Sequence, residues 1–336
     1  VRFAVLAVAA AFLLSLLLPF GLKPLLARLG VLDVPNERSS HTTVTVRGVG
    51  LTVAAGLLAG LLLALPAVHA QERPLLGTVA GVAAAAALLG WSEDYRGVPV
   101  KVRALLQCLI GACGTALIVY LTESSWWWVP VGALAIAGYM NAANFMDGIN
   151  GISGLHGLAA GLLFAAAGAW DGERWLLLAG LVVAVSFAAF LPWNLRRGNV
   201  FLGDVGSYLL GGSLAVLGVA GFLAGIPAES LLGPVTIYLA DTAATLLRRI
   251  SAGEQWYTPH RQHVYQRLTD AGFSHVKSAA FVTGCSVLTG LCGFLAAQSG
   301  FAGKLAALLA CAVVVVFYLR APAIFGSRPA RPADIR

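Results

Sequence analysis

Five acidic residues fall where chemistry could use them in a chain that is otherwise poor in charge. Glu93 and Asp94 occur in "LLGWSEDYRGVPVKVR", Asp147 in "NAANFMDGINGISG", Asp204 in "NVFLGDVGS" and Asp241 in "IYLADTAATLLRR". Singly, any of them could cap a helix or sit in water. Together they form an oxygen-rich set of the kind that suits Mg²⁺, with Mn²⁺ as a substitute. Mg²⁺ usually takes one or two carboxylates and fills its shell with water and substrate phosphate. One or two of these acids are therefore expected to hold a metal, and the others to do different work.

The neighbouring residues fit a phosphate. Gly148, Gly151 and Gly154 follow Asp147, and Gly203 and Gly206 flank Asp204. Glycine lets backbone approach a ligand closely, and free N–H groups at a helix start attract anions. Cations stand nearby in sequence pattern: Arg38, His41 and Arg47 in "VPNERSSHTTVTVRGVG", and His260, Arg261, His263 and Arg267 in "TPHRQHVYQRL". If the latter segment is helical, His260, His263 and Arg267 share one face. Carboxylates, a divalent metal and clustered cations are the recurring kit of phosphoryl transfer. His69 and His156 read as structural.

The elements that must position these groups are membrane helices. Of the 336 residues 59% are hydrophobic and 11% charged, and the mean hydropathy is +0.83. A soluble domain carries about 25% charged residues. Eleven apolar stretches are long enough to span, over 3–22, 49–66, 75–92, 104–121, 127–144, 152–170, 174–191, 206–225, 231–247, 277–296 and 303–319. In lipid they must be helical. The expected fold is an all-α, polytopic bundle: one membrane domain over 1–319 with a Pro- and Arg-rich tail over 320–336. The first stretch reads as an uncleaved helix.

Charge sets the expected orientation. With the N-terminus periplasmic and the C-terminus cytoplasmic, only Arg2, Arg73, Arg174 and Lys304 of the 22 Lys and Arg stay outside. Every candidate group then lies at the cytoplasmic face of the plasma membrane. The net charge of +7 matches an anionic lipid surface and calls for no nucleic acid. The five cysteines all fall in apolar stretches without metal-type spacing. Trp126, Trp127 and Trp128 read as an interfacial belt.

Four stretches, "VPNERSSHTTVTVRGVG", "NAANFMDGINGISG", "NVFLGDVGSYLLG" and "TPHRQHVYQRL" with "AGFSHV" after it, resemble the polyprenyl-phosphate N-acetylhexosamine-1-phosphate transferases, glycosyltransferase family 4. The resemblance covers about residues 30–280. It implies a ten- or eleven-helix fold and a Mg²⁺-dependent reaction. A UDP-N-acetylhexosamine gives its sugar-1-phosphate to undecaprenyl phosphate and releases UMP. It implies Asp204 and Asp147 as metal ligands, and Asp94, Glu93, Asp147 and His263 as catalytic groups. Asn144 lines the diphosphate site and Asn194 lies near the uracil. Lys101, Arg47, His41, His260 and Asp241 complete the implied substrate-binding set, and a homodimer is the implied assembly.

The chain departs from the family pattern in three places. The paired Asp motif reads Glu93–Asp94, "DGxDG" reads "DGING" with Asn150 in place of the second acid, and Tyr265 and Gln266 stand where others carry His. These point to the O-antigen-initiating subgroup, with GlcNAc or a 6-deoxy or otherwise modified sugar. A phospho-MurNAc-pentapeptide transferase is the alternative within the family, and a secondary transporter the alternative outside it. Transporters place sites at the midplane and often show internal repeats, neither of which appears here. CDP-alcohol phosphotransferases pack their aspartates into one helix motif, unlike this spread.

Overall fold

The computed structural model describes residues 1–33, 44–195, 200–255 and 261–326. Long apolar runs become helices because each helix satisfies its own backbone groups in lipid. Ten helical stretches are long and apolar enough to cross a membrane. They are α3 (Gly50–Ala64, extended to Ala67), α4 (Arg73–Arg96), α5 (Val100–Leu121), α6 (Trp128–Met146), α7 (Ile152–Asp171), α8 (Arg174–Leu195) and α9 (Gly203–Leu223). The broken pair α10 (Ala228–Leu232) and α11 (Thr236–Ser251), then α13 (His275–Gln298) and α14 (Phe301–Phe325), complete them.

The pair α1 (Arg2–Leu17) and α2 (Pro19–Arg28), bent by 41° at its break, makes an eleventh span if counted as one. Pro19 opens α2, where its missing N–H breaks the hydrogen-bond ladder. The short α12 (Val264–Asp270) lies between α11 and α13. The chain is an all-α, multi-pass membrane protein.

Most boundaries shift by a few residues from the sequence expectation, and three of the shifts matter here. The last span continues to Phe325 rather than 319, so a tail begins six residues later than expected. The first span reaches Arg28 through α2. Helix α4 runs on to Arg96, which places Glu93 and Asp94 in its last turn. Gly97 ends it at φ +70°, with its N–H bonded to the Glu93 carbonyl.

Small residues let the helices touch backbone to backbone. Gly161 of α7 meets Gly180 and Ala184 of α8, and Gly56 of α3 meets Ala11 and Ser15 of α1. Helix α9 is the axis of the bundle: 78% of its membrane window is buried, against 6% for α14. The acid of "GDVGS" therefore starts the most enclosed helix in the protein. Trp126 and Trp127 are exposed at the head of α6, as an interfacial belt requires.

Candidate active site

A short backbone zipper builds the centre. Strand β1 (Leu32–Asp33) pairs antiparallel with β2 (Thr45–Val46), and Val46 bridges in parallel to Val200. Phe201 N–H donates to the Val46 carbonyl at 2.8 Å, Val49 N–H to Phe201 at 3.2 Å and Gly50 N–H to Leu202 at 2.9 Å. Two glycines with positive φ face each other here, Gly48 (+81°) and Gly203 (+77°). A Cβ on Gly203 would strike the backbone of Gly48 and the Asp94 carboxylate. Glycine is thus what lets the 44–50 segment lie against the start of α9.

The zipper delivers Arg47 to two acids. Its Nε donates to Asp94 Oδ1 at 2.5 Å, and an Nη reaches Asp204 Oδ2 at 3.4 Å. Asp94 also accepts from the backbone N–H of Asp204 (3.0 Å) and of Val205 (2.9 Å). It caps the N-terminus of α9 from the end of α4 and answers that helix's positive end. The Asp94 side chain is 0% exposed, so both its oxygens are committed to protein. The family resemblance implies a catalytic role for Asp94; in this structure its carboxylate braces Arg47 and the start of α9.

Asp204 presents more of itself, with 24% of its side chain exposed. Asn144, in the last turn of α6, donates to Asp204 Oδ1 at 2.6 Å and to Ser207 Oγ at 3.0 Å. Asp147 follows α6 and accepts from Ser153 Oγ at 2.6 Å. Burial pushes the Asp147 carboxyl up to about 8; the charges of Asp204 and Asp94 push the same way, and the Ser153 hydrogen bond opposes them only in part. Among the described residues, Asp94 and Asp204 share the guanidinium of Arg47, while Asp147 feels the charge of both acids.

Among the described residues, no three His, Cys, Asp or Glu side chains form a ready metal cage. The donor set still fits Mg²⁺. Asp204 and Asp147 are one or two carboxylates for a metal whose shell substrate phosphate completes, and a dication would relieve the repulsion between them.

Other expected residues take up bracing roles. Glu93 pairs with Arg103 at 2.9 Å and accepts from Val98 N–H at 2.6 Å, which closes the α4–α5 connection. Asn194 uses both ends of its amide on backbone, accepting from Gly151 N–H (2.6 Å) and donating to the Val200 carbonyl (3.1 Å). It ties the Asp147 turn to the zipper, where the sequence suggested uracil. Lys101 is exposed at the start of α5. His263 precedes α12 rather than lying within it, so the shared helix face with Arg267 does not form. Asp241 and His263 bond to each other at 3.0 Å in a separate buried cluster. His41 and His260 lie outside the described residues.

The sequence reading missed Arg103, Ser153 and Ser207. One signal existed for Arg103. It stands four residues before Gln107, which is buried on α5 and accepts from Asn141 of α6 at 2.7 Å. That spacing puts Arg103 on the inward face and Lys101 off it.

Residues 75–222 match the family model described as glycosyl transferase family 4. The chain is 29% identical over 291 residues to a probable undecaprenyl-phosphate N-acetylglucosaminyl 1-phosphate transferase of Bacillus subtilis, covering 81% of this chain and 80% of that one. It is 27% identical to the undecaprenyl-phosphate alpha-N-acetylglucosaminyl 1-phosphate transferase of Escherichia coli O157:H7, over 94% and 88% of the two chains. It is also 27% identical to a decaprenyl-phosphate N-acetylglucosaminephosphotransferase of Mycolicibacterium smegmatis, over 86% and 80%.

Proposed function

From its place in glycosyl transferase family 4, we propose that the protein transfers N-acetylhexosamine-1-phosphate from a UDP-sugar to undecaprenyl phosphate. The products are undecaprenyl-diphosphate-sugar and UMP. The comparisons support a phosphoglycosyltransferase acting on a polyprenyl phosphate. The finer reading carries Mg²⁺ as cofactor, GlcNAc as the first donor to test, and an initiating step of O-antigen or another surface polysaccharide. It also carries a bacterial inner membrane with the zipper end of the bundle in the cytoplasm, in keeping with the Lys and Arg bias. The single observation behind it is the Arg47–Asp94–Asp204–Asn144 cluster with Asp147 beside it.

The reaction needs little covalent help from protein. A phosphate monoester has its second pKa near about 6, so the lipid phosphate is mostly a dianion at neutral pH. One of its oxygens attacks the β-phosphorus of the UDP-sugar, the bond to the α-phosphate oxygen breaks, and UMP leaves. Asp204 and Asp147 would hold Mg²⁺, which supplies charge neutralisation for the diphosphate. Asn144 orients Asp204, Arg47 fixes the start of α9 through Asp94, and Ser153 fixes the rotamer of Asp147. An apolar cavity of about 390 Å³, lined by Trp128, Phe164, Leu214, Phe222 and Leu231, suits part of an isoprenoid chain.

The test is UMP release by the purified protein with Mg²⁺, undecaprenyl phosphate and a panel of UDP-N-acetylhexosamines, beside an Asp204→Asn control. Lipid-dependent release that the control lacks would establish the reading and name the sugar. Release that persists in the control would remove Asp204 from the metal site, and no release with any donor would overturn the transferase assignment.

A further inference from the structure

Asp241 lies in α11, away from the Asp94–Asp204 centre, and is fully buried. Among the described residues, every contact it makes is with a group able to donate. His263 Nδ1 lies 3.0 Å and Thr245 Oγ1 3.1 Å from Oδ1. The Val264 N–H lies 3.0 Å and the Tyr318 hydroxyl 2.7 Å from Oδ2. These partners come from α11, from the start of α12 and from α14. Tyr318 is one of three buried residues on α14, a helix that otherwise faces lipid.

The His263 ring is seated against the turn that carries Asp147. It stacks on Phe145 at 6.3 Å between centroids and on Tyr265 at 5.9 Å. The Tyr265 hydroxyl in turn donates to the Phe145 carbonyl at 3.1 Å. Phe145 lies between Asn144 and Asp147 in sequence.

We propose that Asp241 is a positioning residue that holds the His263 imidazole in one tautomer and one orientation at the flank of the Asp147 turn, with Tyr318 of the last span completing the hold. The inference rests on the transferase reading for its kinetic consequence only. A carboxylate has no proton to give, so the His263 Nδ1 facing it must carry one. That commits Nδ1, and any contact of this ring with a substrate oxygen runs through Nε2. A carboxylate behind a histidine fixes tautomer and ring orientation in this way at many functional sites. The cost of burying Asp241 in a membrane protein is met by four donors, which tie the start of α12 and α14 to α11.

The test uses the full-length protein, with ¹⁵N-labelled histidine and UMP-release kinetics on the same samples. The His263 signal is assigned by its disappearance in His263→Gln. In wild type it should show the Nδ1–H form, and in Asp241→Asn it should lose that form. Turnover in Asp241→Asn should fall roughly 10–100-fold, with KM for the UDP-sugar changing far less. Tyr318→Phe, which removes one oxygen and keeps the ring, should retain the fold and lose turnover by a smaller factor. A wild-type signal in the Nε2–H form, or an Asp241→Asn protein with unchanged tautomer and turnover, would overturn the proposal. Turnover that falls only with the folded fraction in both variants would reduce Asp241 to a structural brace and overturn it as well. Should wild type release no UMP, the transferase reading fails while the tautomer still decides the hold. If Asp241→Asn does not fold, wild-type turnover and tautomer in Tyr318→Phe would overturn the part assigned to α14, and the wild-type tautomer still decides the rest.

Discussion

Two buried acid clusters lie in this bundle, and they are built on opposite principles. Around Asp241 every partner is a donor, and the cluster is closed. Around Asp204, among the described residues, the acids outnumber the close cations. Asp94 takes Arg47 and two backbone N–H groups, Asp204 keeps an amide and a long contact to Arg47, and Asp147 is left with a serine hydroxyl. A saturated acid is a fixture. A set of acids short of donors is poised for a cation and the phosphate that arrives with it. Burial alone does not separate the two; the balance of donors against charge does.

Substitutions that change this balance sharpen the comparison. Asp94→Ala should have the largest effect on folding, since it takes from Arg47 its closest partner and uncaps α9. A loss of about 1–3 kcal/mol is expected for leaving the α9 N–H groups without their acceptor and weakening a pair whose Arg47 is a third exposed and keeps Asp204, read from thermal or denaturant unfolding in detergent; an unchanged midpoint would mean the Asp94 contacts are not formed. Asp204→Asn should leave the fold intact and lower turnover roughly 10²–10³-fold, measured as UMP release. Its failure to do so would make the open cluster no different from the closed one.

The third prediction concerns pH. The Asp147 carboxyl sits at about 8 in the folded protein against 3.8 for an ordinary carboxyl. Its raised value means that the folded state holds the proton more tightly, so its stabilising effect is complete below pH 3.8 and is lost as pH rises through about 8. The metal-free protein should therefore melt earlier as pH rises across that window, and Asp147→Asn should flatten the slope. A chelator-treated pH series of melting curves checks it. The smallest effect belongs to Lys101→Ala. An exposed lysine outside the cluster should leave kcat/KM within about twofold of wild type, whereas Arg103→Ala, which strips Glu93 of its cation, should not.

Much of this was legible in the sequence. Lipid forces apolar runs into helices, so the ten or eleven spans followed from composition, and the Lys and Arg bias gathered the acids at one end. What the sequence does not carry is which acid meets which donor. Asp94 and Asp204 are 110 residues apart where their backbone contact forms, and no local spacing announces it. The same limit hid the role of Asn194, whose partners are backbone atoms of two other segments. Asp241 was expected in the substrate-binding set, but an expensive buried acid can serve a ligand or a neighbouring side chain, and only its partners tell these apart. Lys101 and Arg103 could have been separated, because helical spacing from Gln107 favours the second.

The zipper between the 44–50 segment and α9 also bears on how the protein is made. Arg47 and Asp204 are 157 residues apart in the chain. At a synthesis rate of about 5–20 residues per second, Arg47 leaves the ribosome roughly 8–30 s before its partner. During that interval α3 to α8 are already threading into the bilayer, while Arg47 and Asp94 have each other but lack the helix they will hold. The arrival of α9 then locks three early segments in one event. Assembly of this centre is thus tied to the insertion of a single late helix, and a nascent chain halted before it would carry most of the spans and none of the chemistry.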